Sequence, residues 1–98
     1  EDWGSYTMTN FNDILQALLR ERRYQDERWG TIDAHPHSVG EWLLILEHEL
    51  QEAKDAWVTH RGDADALCEL LQVCAVGVAC LEQHGIVARP SGQQGHAP

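Results

Sequence analysis

The sequence predicts an all-α protein, and three observations carry that prediction. Apolar residues recur at spacings of three and four through three long stretches. No stretch shows the strict alternation of a half-buried strand. Glycine and proline fall between the stretches, where helices stop. Three helices follow: a single helix, then two more joined as an antiparallel hairpin. A chain of 98 residues makes one small domain with limited core, so the prediction includes completion of a helical bundle by oligomerisation.

Residues 1–8 have no periodicity and read as an N-terminal leader; residues 9–85 form the single domain. Helix one spans about Asn10 to Trp29. Thr9 or Asn10 caps it, and Asp13 suits the positive end of the helix dipole. Phe11, Ile14, Leu15, Leu18 and Leu19 supply its apolar stripe, and Gly30 ends it. The segment TIDAHPH is a loop, because Pro36 disfavours helical backbone at the residue before it. Ser38 and Glu41 have capping-box spacing and open helix two, which is expected to run to about His60. Arg61, Gly62 and Asp63 form a tight break, with Asp63 as the N-cap of helix three, which ends at Gly85. Residues 86–98, rich in Gly, Pro and Gln, read as a flexible C-terminal tail.

Composition excludes some function classes. A net charge of -9 repels a phosphate backbone, so nucleic acid is not an expected partner. No apolar run is expected to span a bilayer and no signal-peptide pattern opens the chain, which together point to a cytoplasmic protein. Cys68, Cys74 and Cys80, odd in number and six apart, fit neither a disulfide framework nor a zinc pair and read as small core residues. HELQE at 48–52 lacks the second histidine of a metalloprotease motif, and His35 and His37 alone make no zinc site. There is no glycine-rich phosphate loop.

On helix two, Leu43, Leu46, Leu50, Ala53 and Trp57 mark a core-facing seam, with Glu41, His48 and Asp55 on the solvated face. Glu49 and Glu52 belong to neither set. They lie one turn apart in a stripe that otherwise reads Trp42, Ile45, Ala56. Glu69 lies in the most apolar helix, with Gln72 one turn further on. Glu52 is ten residues before Gly62 and Glu69 seven after it, so a hairpin brings the two pairs level. Buried carboxylates this close need a cation, a shared proton or a metal. Three carboxylates and an amide oxygen suit Mg²⁺ or Mn²⁺ rather than zinc. Each glutamate taken singly also fits a snorkelling or ion-paired helix residue.

HELQEA followed by ELLQV on the next helix, with RERRYQDERWG and HSVGEWLLIL before them, resembles the MazG-like nucleoside triphosphate pyrophosphohydrolases, in particular the small phage- and cassette-borne branch. The likeness covers about residues 12–84. The resemblance implies hydrolysis of a nucleoside triphosphate to monophosphate and pyrophosphate in a house-cleaning role, by a homodimer or higher homo-oligomer using Mg²⁺ or Mn²⁺. It makes Glu49, Glu52 and Glu69 metal ligands, with Glu49 or Glu52 accepting the proton of the attacking water. Gln72 stands where the family has aspartate, and His48 stands where it has the first glutamate. The solvated position of His48 leaves the metal untouched on this reading. Lys54, Arg20, Arg23 and Arg28 are candidates to meet the remaining phosphate charge, although each also fits a solvated surface. Trp29 and Trp42 can stack on a base or pack in the core, and core packing is the expectation for both. Asp26 can join the site from helix one. A non-catalytic helical module that binds a nucleotide or a partner, with a degenerate metal site, is the alternative.

Overall fold

The computed structural model describes residues 8–90, with backbone alone at positions 60 and 61, and is all-helical over that range. Three helices carry it: α1 (Phe11–Trp29), α2 (Val39–Ala56) and α3 (Gly62–His84). The leader lies outside the described residues except for exposed Met8. The tail does so beyond Pro90, and its described part, 86–90, is exposed and without regular structure.

The ends of the helices follow local chemistry. The Asn10 side chain accepts from the Asp13 N–H at 2.9 Å and caps α1. At Ser38 the capping box is complete: the Ser38 hydroxyl accepts from the Glu41 N–H at 3.1 Å, and a Glu41 carboxylate oxygen accepts from the Ser38 N–H at 2.7 Å. Gly30 ends α1 at φ 92°, and a side chain there would also overlap the imidazole of His35, so only glycine serves.

The connection between α2 and α3 differs from the expected break. α2 ends at Ala56, and Trp57–Arg61 continue as one π-helical segment before Gly62 turns at φ 73°. Asp63 is not the cap. It lies in the first turn of α3, where its carboxylate accepts from the Trp57 indole N–H at 2.9 Å.

α2 packs most extensively on α3, and α1 packs on α3. The Trp42 indole, near the start of α2, donates to Gln83 at the end of α3 at 2.9 Å. Trp42, Val76 and Ala79 form the core, with Ile32, Ile45, Leu46 and Cys80 against it. Arg22 and Gln25 are buried on α1. The Arg22 guanidinium is bound through two nitrogens to Glu82 at 3.0 and 3.1 Å and to Asp26 at 3.0 Å, and Gln25 donates to the Gln72 carbonyl at 3.3 Å. Burial opposes the Arg22 charge, but the hydrogen bonds and charges of Glu82 and Asp26 outweigh it and hold the group above its ordinary value.

Several expectations are overturned. The buried strip of α2 is Trp42, Ala53 and Ala56, with Ile45, Leu46 and Glu49 half-buried, whereas Leu43, Leu50 and Trp57 of the expected seam are exposed. Phe11, Ile14, Leu15 and Leu19 are exposed too: α1 bonds to α3 through Arg22 and Gln25 in its C-terminal half, and no further helix among the described residues covers the rest. Cys68 and Cys74 are exposed rather than core, and Trp29 is half exposed, while Trp42 does pack in the core. By length and composition α3 is apolar enough to cross a membrane, contrary to the expectation that no run is. Only 17% of its most apolar 18-residue window is buried within the chain.

Candidate metal centre and adjoining cavity

α2 presents Glu49 and Glu52 one turn apart, and α3 brings Glu69 to them. One carboxylate oxygen from each of the three lies within 4.8 Å of the others. Glu49 and Glu69 are half-buried and Glu52 is exposed, so the group opens to solvent on one side rather than pointing wholly inward. Burial, then the charge of Glu52, pushes the Glu49 carboxyl above the usual range; Glu69 adds to the shift and His48 opposes it.

His48 is exposed, as expected, but it does not stand apart from the acids. Its Nε2 lies 3.1 Å from a Glu52 carboxylate oxygen, one turn along α2. The imidazole therefore competes for a carboxylate that the proposed site needs.

The donor set fits a hard divalent cation. Oxygens bound octahedrally at about 2.1 Å are separated by roughly 3 to 4.2 Å, so small side-chain rotations bring these three to ligand spacing and leave the other positions to water or substrate. All three donors are carboxylate oxygens, which suits Mg²⁺ or Mn²⁺. Burial is the larger cause of the raised Glu49 carboxyl, and a cation bound there would offset the added charge of Glu52 and Glu69.

Glu49 also borders a cavity of about 320 Å³ between α1, the 30–37 loop, α2 and α3. Arg22, Trp29, His35, His37 and Trp42 share its wall. That volume is at the lower end of small-molecule sites, and the lining mixes aromatic surface with a few polar groups. The His37 ring stands edge-on to Trp42, with centroids 4.8 Å apart.

The residues expected at the site are divided by the structure. Asp26 and Trp29 border the cavity with Glu49, although Asp26 is already paired with Arg22. Gln72 and Arg28 line a separate groove with Glu21, Tyr24 and Trp29. The Gln72 amide nitrogen contacts Cys68 Sγ at 4.0 Å. Lys54 lies in a third recess with Trp57, Asp63, Leu67 and Leu70. Arg20 and Arg23 are exposed on α1 and line none of the three. The cations offered for the phosphates are thus away from Glu49.

His35, His37, Arg22 and Gln25, which line the cavity, were not assigned to the site from sequence. Continuing the α1 stripe from Leu15 and Leu18 by four, three and four reaches Arg22, Gln25 and Trp29, which is a signal for the first and last of the α1 group. Nothing in the sequence places the loop histidines.

No protein-family model, no curated protein and no solved structure matches the chain.

Proposed function

We propose that the chain is a metal-dependent hydrolase that splits nucleoside triphosphates into monophosphate and pyrophosphate. The observation that carries this reading is the position of Glu49, which belongs both to the three-carboxylate group and to the wall of the aromatic cavity. A triphosphate whose base occupies that cavity has its phosphates directed toward the acids. The α2–α3 contacts support the antiparallel hairpin that this reading requires: Trp42 meets Gln83, and Ala53 and Trp57 share a recess with Ala66 and Leu70.

Glu49, Glu52 and Glu69 would hold the cation, whereas Gln72, expected as a fourth ligand, faces the separate groove with Arg28 and is not part of this set. A divalent cation such as Mg²⁺ or Mn²⁺ held there would neutralise phosphate charge and make an attacking water more acidic. Whichever of Glu49 and Glu52 is not fully used in coordination takes the water's proton, and the position of Glu49 on the cavity wall favours Glu49. Trp29 and Trp42 offer flat surfaces to a base, and the cavity walls exclude water from one side of the phosphates.

The test is pyrophosphate release from a panel of NTPs and dNTPs with Mg²⁺ or Mn²⁺. The expected result is release from at least one of them, abolished by chelation and lowered about a hundredfold by Glu52→Gln. No metal-dependent release from any nucleotide overturns the reading. If nucleotides still raise the melting temperature in that case, the chain is a binding module.

A further inference from the structure

We propose that the recess between the end of α2 and the start of α3 binds an aliphatic monocarboxylate of medium chain length, with its head held by Lys54. The recess measures about 670 Å³, within the range of small-molecule sites. Buried Ala53 and half-buried Ala66 lie at its base, and exposed Trp57, Val58, Leu67 and Leu70 rise around them. Two small residues among four large ones make a concavity rather than a flat apolar face. Trp57 and Val58 belong to the π-helical segment, a rare winding found disproportionately at functional sites.

The polar groups of the recess are few, and they specify the ligand. Asp63 accepts from the Trp57 indole N–H at 2.9 Å, which holds the ring in place and leaves the indole no free donor. Lys54 is the only lysine of the chain, and its ammonium has no hydrogen bond or ion pair among the described residues. Every other residue of the lining is apolar.

One ammonium matches one carboxylate, and the apolar walls match an alkyl chain. A phosphate is the poorer occupant: no second cation meets its second charge, and the Asp63 carboxylate repels it. A cationic amphiphile fails at Lys54 for the same reason. Lys54 thereby has a role apart from Glu49 and its cavity, whose lining it does not share.

The experiment uses the full chain and does not depend on the proposed hydrolysis. Decanoate, kept below its micelle concentration, is titrated into the protein and followed by calorimetry. One decanoate should bind per chain, and each methylene added between octanoate and dodecanoate should tighten binding about fourfold. Decanol, with the same chain and no charge, should bind at least about tenfold more weakly. Lys54→Met, an exposed substitution, should lower the decanoate affinity to that of decanol and leave decanol unmoved. Ala66→Phe fills the base of the recess and should remove binding of both. An amine-directed reagent gives a second measurement, because decanoate should slow the modification of Lys54, read by peptide mass. No binding below the micelle concentration overturns the proposal, whether the recess stays empty or a second copy closes it. Equal affinities for decanoate and decanol overturn it too, since apolar surface alone would then account for binding. A Lys54→Met chain that binds decanoate as well as the wild type does so equally, by placing the ligand elsewhere.

Discussion

Gln83 of α3 binds both main-chain polar groups of His37. Its amide oxygen accepts from the His37 N–H at 3.1 Å, and its amide nitrogen donates to the His37 carbonyl at 2.6 Å. The same oxygen accepts from the Trp42 indole N–H at 2.9 Å. One side chain thus holds the loop histidine and the core tryptophan of the cavity wall in fixed relation. His84 adds a second contact to the His37 carbonyl at 2.8 Å.

Gln83→Leu removes these bonds at nearly constant volume and leaves the buried Trp42 N–H without an acceptor. The expected cost is about 2 kcal/mol, or roughly 10 °C in melting temperature for a domain of this size. Thermal denaturation measures the loss, and tryptophan emission should shift to the red as Trp42 gains access to water. An unchanged melting temperature would mean that the loop is held by other contacts.

Arg22 joins α1 to α3 through its bidentate pair with Glu82. Arg22→Lys keeps the charge but cannot reproduce the planar fork or reach Asp26 and Gln25 together. Because Glu82 and Asp26 are partly exposed, the cost falls below that of a fully buried pair, at about 1–2 kcal/mol. A double-mutant cycle with Glu82→Gln isolates the pair. A coupling near zero would mean that packing alone seats α1.

Much of this was legible in the sequence, and what was missed has a common cause. Ser38 and Glu41 announced the capping box because capping is a local hydrogen-bond exchange over three residues. Glu49, Glu52 and Glu69 were legible because helical spacing and distance from the turn determine where they meet. The covered side of α2 was not. Periodicity groups Leu43 with Leu50 and Trp57, but it does not say whether their own chain or another molecule covers them. Arg22 and Gln25 were hidden by residue type, since their position continues the apolar stripe while their chemistry suggests solvent. The role of Gln83 depends on the path of the loop through His37, which no helical period encodes.

The capping box predicts a response to acid. Hydrogen bonds from the Ser38 backbone and side chain hold the Glu41 carboxyl below its ordinary value of 4.5. Its contribution is therefore present above 4.5 and is lost as pH falls through the lowered value. Ser38→Ala should cost about 1 kcal/mol at neutral pH. Glu41→Gln should remove this part of the acid sensitivity, measured as melting temperature against pH. An unchanged slope below pH 4.5 would show that the box contributes nothing in solution.

Glu49 gives the opposite sign. Its carboxyl is raised, so between 4.5 and the raised value the folded chain binds more protons than the unfolded one. Without metal, stability should fall as pH rises through that window and then level off. Glu49→Gln should remove that fall and raise the melting temperature of metal-free protein at pH 7 by a few degrees. Added Mn²⁺ should do the reverse: it should stabilise the wild type by about 2.7 kcal/mol at a hundredfold excess over Kd and leave Glu49→Gln nearly unmoved. A site kept for a cation is strained without it, and removing the acid should relieve the strain together with the affinity. If Glu49→Gln proves less stable than the metal-free wild type, the carboxylate is serving the fold instead.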